Sequence, residues 1–185
     1  KAVSIPIIPS INCISAAEWT TFGERLQAAG ADGLELNMYI MPRDITQKSE
    51  DIEKVYFDII KEVNKHVSIP IAVKIGLNFT SMTNMLYNLS IREATAIVMF
   101  NRFHRPDIDL KKEVLSSADI FSTPQENVLP LRWIGMLSED LKCDLAATTG
   151  IHDGHTVLKN LLAGAQAVQV ATIIYKKGPE FIGEM

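Results

Sequence analysis

The sequence is short of the residues that build disulfide-stapled or metal-stapled scaffolds. It has two cysteines, Cys13 and Cys143, and four histidines in 185 residues. Two cysteines cannot make a disulfide framework, so a reducing compartment fits and the cytoplasm is the expected location. No apolar run reaches the roughly 18 residues of a bilayer-crossing helix, so no membrane partner is expected. Neither sign of charge dominates: charged residues make up 22% and the formal net charge is -4. That balance excludes an acidic disordered tail and a polybasic arm, and no nucleic-acid partner is expected. The chain starts at Lys1, and nothing after it reads as a signal peptide.

What is present is apolar and alternating. At 47% hydrophobic, the chain has enough material for a buried core and reads as a single domain over residues 1–185. Strands are predicted at Val3 to Ile11, Gly33 to Asn37, Pro70 to Ile75, Ala96 to Phe100, Asp144 to Thr148 and Ala167 to Ile174. Helical spacing predicts Ala16 to Ala29, Glu50 to His66, Met82 to Glu93, Leu131 to Leu141 and Thr156 to Ala163. Ser15 with Glu18 forms a capping box, and Gly30 suits the residue that ends the first helix. Asn101 to Asn127 is expected to be a long loop. Strands and helices in alternation predict an α/β fold with a parallel sheet.

Two internal echoes narrow the topology. Ser4-Ile5-Pro6-Ile7 returns as Ser68-Ile69-Pro70-Ile71, and Ala29-Gly30-Ala31 returns as Ala163-Gly164-Ala165. Each pair falls at an equivalent corner of a βα unit. No GxGxxG follows a strand, which counts against a dinucleotide-binding sheet. The reading is a (β/α)8 TIM barrel with about six βα units in this chain. Since such barrels run to about 250 residues, 185 residues read as the C-terminal portion of a longer protein.

Barrel chemistry sits at the C-terminal ends of strands. Those ends carry Ser10, Asn12, Asn37, Lys74, Asn101, Arg102, Thr148, Thr149, Gly150, Ala171 and Thr172. Lys74 closes the apolar run Ile71-Ala72-Val73 and needs an anionic or strongly accepting partner if buried. A flavin edge would be such a partner; a Schiff-base lysine and a lysine snorkelling just past the strand are the rival readings. Thr149-Gly150 and Ala171-Thr172 fall where barrels hold phosphate. Arg102, His104 and Arg105 form a basic patch in the loop. His152-Asp153-Gly154-His155 reads as a helix start with Asp153 as cap, and no metal is expected there. The sequons at Asn78 and Asn88 read as accidental, and Cys143 as structural.

The motifs Gly30-Ala31-Asp32-Gly33-Leu34-Glu35-Leu36-Asn37, Ile69-Pro70-Ile71-Ala72-Val73-Lys74 and Val98-Met99-Phe100-Asn101-Arg102-Phe103 occur in order. Ser122-Thr123-Pro124, Leu131-Arg132-Trp133-Ile134, Thr149-Gly150-Ile151 and Ala165-Gln166-Ala167-Val168-Gln169-Val170 follow. With these motifs the chain resembles the dihydroorotate dehydrogenase-like flavoprotein family, its class 1 members in particular. The resemblance implies FMN at the strand ends and oxidation of (S)-dihydroorotate to orotate. It implies Lys74, Ser122, Thr149, Gly150, Ala171, Thr172 and Ser10 as cofactor-binding residues, with Asn37 and Asn101 on the substrate. A homodimer and a small-molecule substrate are family-level expectations. The family's catalytic base, Cys or Ser, lies three residues after the substrate asparagine; here Ile40 stands there, so the catalytic base is unassigned. A related flavin reductase acting on another small heterocycle, or a non-catalytic relative, is the alternative that Ile40 motivates.

Overall fold

Six short strands carry the apolar runs: β1 (Ser10–Ile11), β2 (Leu34–Asn37), β3 (Ile71–Ile75), β4 (Ala96–Met99), β7 (Asp144–Thr148) and β8 (Ala167–Gln169). They form one parallel sheet in the order β1-β2-β3-β4-β7-β8. The computed structural model describes residues 3–13, 15–92, 94–117 and 119–185. Helices α1 (Ala16–Ala28), α2 (Ser49–His66), α3 (Met82–Ser90), α4 (Val128–Leu137), α5 (Gly154–Leu162) and α6 (Thr172–Lys177) follow the strands of the sheet in turn. The sheet is curled, and the architecture is that of six units of a (β/α)8 barrel.

Strand alternation sorts the two faces. In β3, Ile71, Val73 and Ile75 are buried, while Ala72 and Lys74 between them face the concave side. The register sets Glu35 beside Ala72 and Asn37 beside Lys74, so these four residues share the lumen. The outer face packs on the apolar stripe of α2, through Tyr56, Ile59, Ile60 and Val63.

The capping box forms as the sequence implies: Ser15 Oγ accepts from Glu18 N–H, and the Glu18 carboxylate accepts from Ser15 N–H at 2.9 Å. Gly30 and Gly164 both have positive φ, +90° and +112°, at the ends of α1 and α5. The repeated Ala-Gly-Ala segment therefore is a repeated helix-ending turn.

Five expectations change. The strand at Val3 to Ile11 shrinks to Ser10–Ile11, because Pro6 and Pro9 have no N–H for a ladder. The last strand ends at Gln169, and Thr172–Lys177 is helical although Thr172, Ile173 and Ile174 are β-branched. Burying Ile173 in α6 outweighs that weak local preference. The long loop holds an antiparallel hairpin, β5 (Pro106–Asp109) with β6 (Val114–Ser117), and a 3₁₀ turn at Pro124–Asn127. The helix expected from Leu131 begins earlier, at Val128, and ends at Leu137; that expected to reach Glu93 ends at Ser90, and Glu93 lies outside the described residues.

Candidate functional site

The lumen is crossed by a chain of polar side chains. Ser10 Oγ donates to Glu35 Oε1 at 2.6 Å, Gln169 Nε2 donates to Glu35 Oε2, and Lys74 Nζ donates to Gln169 Oε1 at 3.0 Å. Lys74 Nζ also lies 3.8 Å from Glu35 Oε1, with side-chain exposures of 17% and 5%. A charge pair this buried is costly unless its remaining hydrogen-bonding capacity is met. Gln169 meets it on both sides, accepting from the ammonium and donating to the carboxylate.

Glu35 and Gln169 were not singled out as site residues from sequence. The available signal was local: Glu35 is a carboxylate inside an apolar strand, two residues from Asn37 and therefore on its face.

The strand-end asparagines meet directly. Asn101 Nδ2 donates to Asn37 Oδ1 at 2.5 Å, and Asn12 Nδ2 donates to the Asn37 carbonyl at 2.8 Å. Two residues beyond each asparagine, Tyr39 and Phe103 stack with ring centroids 3.8 Å apart. This two-tier bridge joins the ends of β2 and β4 over the end of β3. Gly76 permits it, since a Cβ there would lie 2.3 Å from the Phe103 ring. Ile40 is packed against the core, and its N–H donates to the Tyr56 hydroxyl at 3.2 Å. A hydrocarbon side chain in that place neither accepts nor delivers a proton.

The opposite side of the site is built of hydroxyls and strained backbone. Thr149 and Gly150 take positive φ in succession, +78° and +77°. For a β-branched threonine this costs on the order of 1–3 kcal/mol and must be held by its surroundings. Thr149 Oγ1 donates to the Phe100 carbonyl at 3.0 Å, and Asn127 Nδ2 donates to the Thr149 carbonyl at 3.3 Å. Ser122 N–H donates to Thr172 Oγ1 at 3.1 Å. Ser122 Oγ lies 3.0 Å from both Thr172 Oγ1 and His152 Nε2. Burial, with the nearby Lys176 ammonium second, holds His152 below the ordinary histidine range. Its neighbour Asp153 caps α5, accepting from Thr156 N–H at 2.8 Å as the sequence predicts.

One cavity of about 190 Å³ gathers most of the residues expected from sequence: Lys74, Asn101, Ser122, Thr149, Gly150, Ala171 and Thr172 line it, with Gln169. Ser10 and Asn37 do not line it: Ser10 is linked to it through Glu35 and Gln169, and Asn37 through Asn101. The donor set is one ammonium, several hydroxyls and glycine backbone, which suits a phosphate and a heteroaromatic edge. The basic patch behaves differently from an anion clamp. Arg102 Nε donates to Glu126 at 2.9 Å, and its other two nitrogens donate to the carbonyls of Ile120 and Asp119. His104 lies 2.8 Å from Ser117 Oγ.

A family model described as dihydroorotate dehydrogenase matches residues 1–185. The chain belongs to the dihydroorotate dehydrogenase family. It is 24% identical to a dihydroorotate dehydrogenase B (NAD(+)) catalytic subunit of Thermoplasma volcanium, over all of this chain and 62% of that protein. It is 27% identical to the corresponding subunit of Pyrococcus furiosus, over 96% of this chain and 60% of that one. The chain thus spans about three-fifths of the length of these relatives. Among solved structures, a dihydroorotate dehydrogenase of Eimeria tenella in complex with ferulenol superposes with a TM-score of 0.65 at 15% identity, covering 92% of this chain and 52% of that one. A dihydrodipicolinate synthase of Agrobacterium tumefaciens gives 0.61 at 14%, covering 97% and 51%. Both likenesses concern the fold alone.

Proposed function

We propose that the protein is an FMN-dependent oxidoreductase of dihydroorotate dehydrogenase type, and that this chain is the C-terminal portion of its barrel. The observation that carries the reading is Lys74, an ammonium held at the wall of a polar cavity by Gln169 and Glu35. Its charge is compensated but not cancelled by a direct hydrogen bond to the carboxylate, so it still favours negative charge in the cavity. Thr149-Gly150 and Ala171-Thr172, with Ser122, would hold the phosphate end. Ser10 acts through Glu35. The FMN, when bound, supplies the acceptor for a hydride. Asn37 and Asn101 would bind the substrate by its amide or carbonyl edge.

Ile40 favours a second reading of the substrate. Oxidation of (S)-dihydroorotate to orotate needs a group that takes a proton beside the carbon that gives up hydride, and position 40 offers none. A related flavin enzyme acting on another small unsaturated heterocycle needs no base at that position. The experiment is an absorbance spectrum of the purified full-length protein, followed by anaerobic addition of (S)-dihydroorotate. Flavin bands that bleach at enzymatic rates select dihydroorotate. Flavin bands that persist select the second reading. A colourless protein that does not take up added FMN overturns both.

A further inference from the structure

Beside the polar cavity lies a second one of about 210 Å³. Asn101, Arg102 and Thr149 line both, so they form the wall between them. The rest of the second cavity is mainly apolar: Leu77 follows β3, Phe100 and Phe103 follow β4, and Leu129 and Pro130 lie in the first turn of α4. Leu129 is 42% exposed, leaving apolar surface for a ligand to cover.

The walls are held in place. Phe103 is stacked by Tyr39 and seated on Gly76. The main rim charges are spent on each other. Glu126 accepts from Arg102 Nε and Arg105 Nη2 at 2.9 Å each, and from Thr123 N–H at 2.9 Å. Burial works to raise the Glu126 carboxyl, but the hydrogen bonds from Arg102 and the Thr123 N–H, with the two positive charges, hold it below the usual carboxylate range. A charged ligand group would have to compete with these pairs, whereas a neutral one leaves them intact. The size is also selective. A cavity of roughly 150 Å³ lined by Leu, Ile and Phe holds one benzene ring, and this one is somewhat larger.

We propose that the second cavity is an apolar subsite taking a neutral, flat ring, carried by a substrate whose amide or carbonyl edge lies against Asn101. The assignment rests on the flavoenzyme reading above and adds the class of substrate to it. Asn101 reaches both cavities and is positioned by Asn37. A ring on the apolar side and a polar edge on the other is the ligand these two cavities fit together.

Three probes separate the contributions: benzamide has ring and amide, acetamide the amide alone, and orotate a charged ring. Titration calorimetry on the full-length protein loaded with FMN reads their affinities. Benzamide is expected to bind about tenfold or more tightly than acetamide, from burial of the ring. Leu129→Trp, which fills the cavity from its exposed side, removes that advantage, and Leu129→Ala retains it. Circular dichroism verifies the fold of each variant. Equal affinities for benzamide and acetamide overturn the subsite, as does a Leu129→Trp variant that folds and keeps the preference. Orotate that outbinds benzamide and is lost in Leu129→Trp overturns the neutral class. A protein that rejects FMN defeats the flavoenzyme reading instead, and the same titrations on the flavin-free protein then decide the subsite.

Discussion

Gln169 donates its side-chain amide to the Glu35 carboxylate across the lumen, between positions 134 residues apart on strands that are not neighbours in the sheet. The contact exists because the sheet curls. It also explains how a lysine is tolerated there, since Gln169 carries the carboxylate's influence to Lys74 without the two charges needing a direct hydrogen bond.

Removing the carboxylate leaves the ammonium uncompensated. Glu35→Ala is expected to destabilise the fold by about 3 kcal/mol, the lower end for breaking a buried pair because Lys74 remains partly exposed. The double variant Glu35→Leu with Lys74→Met is expected to recover much of the loss. Urea unfolding of the three proteins measures both, and a single variant as stable as the parent contradicts the pairing.

Two glycines separate strain from crowding. Gly150 has φ +77°, and a Cβ on it would lie 2.4 Å from the Asn127 backbone nitrogen. Gly30 has φ +90° with nothing within 4 Å of such a Cβ. Gly30→Ala is therefore expected to cost about 1 kcal/mol, from conformation alone. Gly150→Ala should cost more, about 3 kcal/mol, and weaken FMN binding, because the backbone must move as well. Thermal unfolding and flavin fluorescence titration give the two readouts; equal losses at both positions would falsify the crowding argument.

His152 links stability to pH. Burial holds its folded-state value below the ordinary histidine range, so on acidification the unfolded chain takes up the proton first. Its contribution is complete at neutral pH and above. It is lost as pH falls through about 6.5 toward the depressed folded value. The melting temperature should therefore drop less between pH 7.5 and pH 6 in His152→Gln than in the parent, all other groups being the same. A parallel drop in both proteins rules out the histidine as the source.

Cys143 should be chemically quiet. Burial, with the Asp144 charge second, raises its thiol to about 11. The thiolate is the reactive form, so alkylation by iodoacetamide at pH 8 is expected to be slow in the folded protein and rapid after denaturation. Peptide mass spectrometry resolves Cys143 from Cys13. Fast labelling of Cys143 in the native protein contradicts the burial.

Much of the architecture is written locally. The period of apolar residues marks strands and helices, Ser15 with Glu18 marks a helix start, and Gly30 and Gly164 mark helix ends, because each depends on neighbours within a few residues. Polar residues ending apolar strands placed Lys74, Asn37, Asn101 and Thr149 at one rim, since strand direction in a parallel sheet follows from the alternation itself. Other features were decided only by the tertiary structure. The β5–β6 hairpin occupies a stretch that read as loop, and α6 forms from β-branched residues because burial of Ile173 overrides their preference. Arg102 reads as part of a basic patch until the fold brings Glu126 and two carbonyls to it. Glu35 and Gln169 become a pair only when the sheet curls far enough for β2 and β8 to face each other. No local pattern encodes that curvature, which comes from strand twist and helix packing summed over the whole sheet.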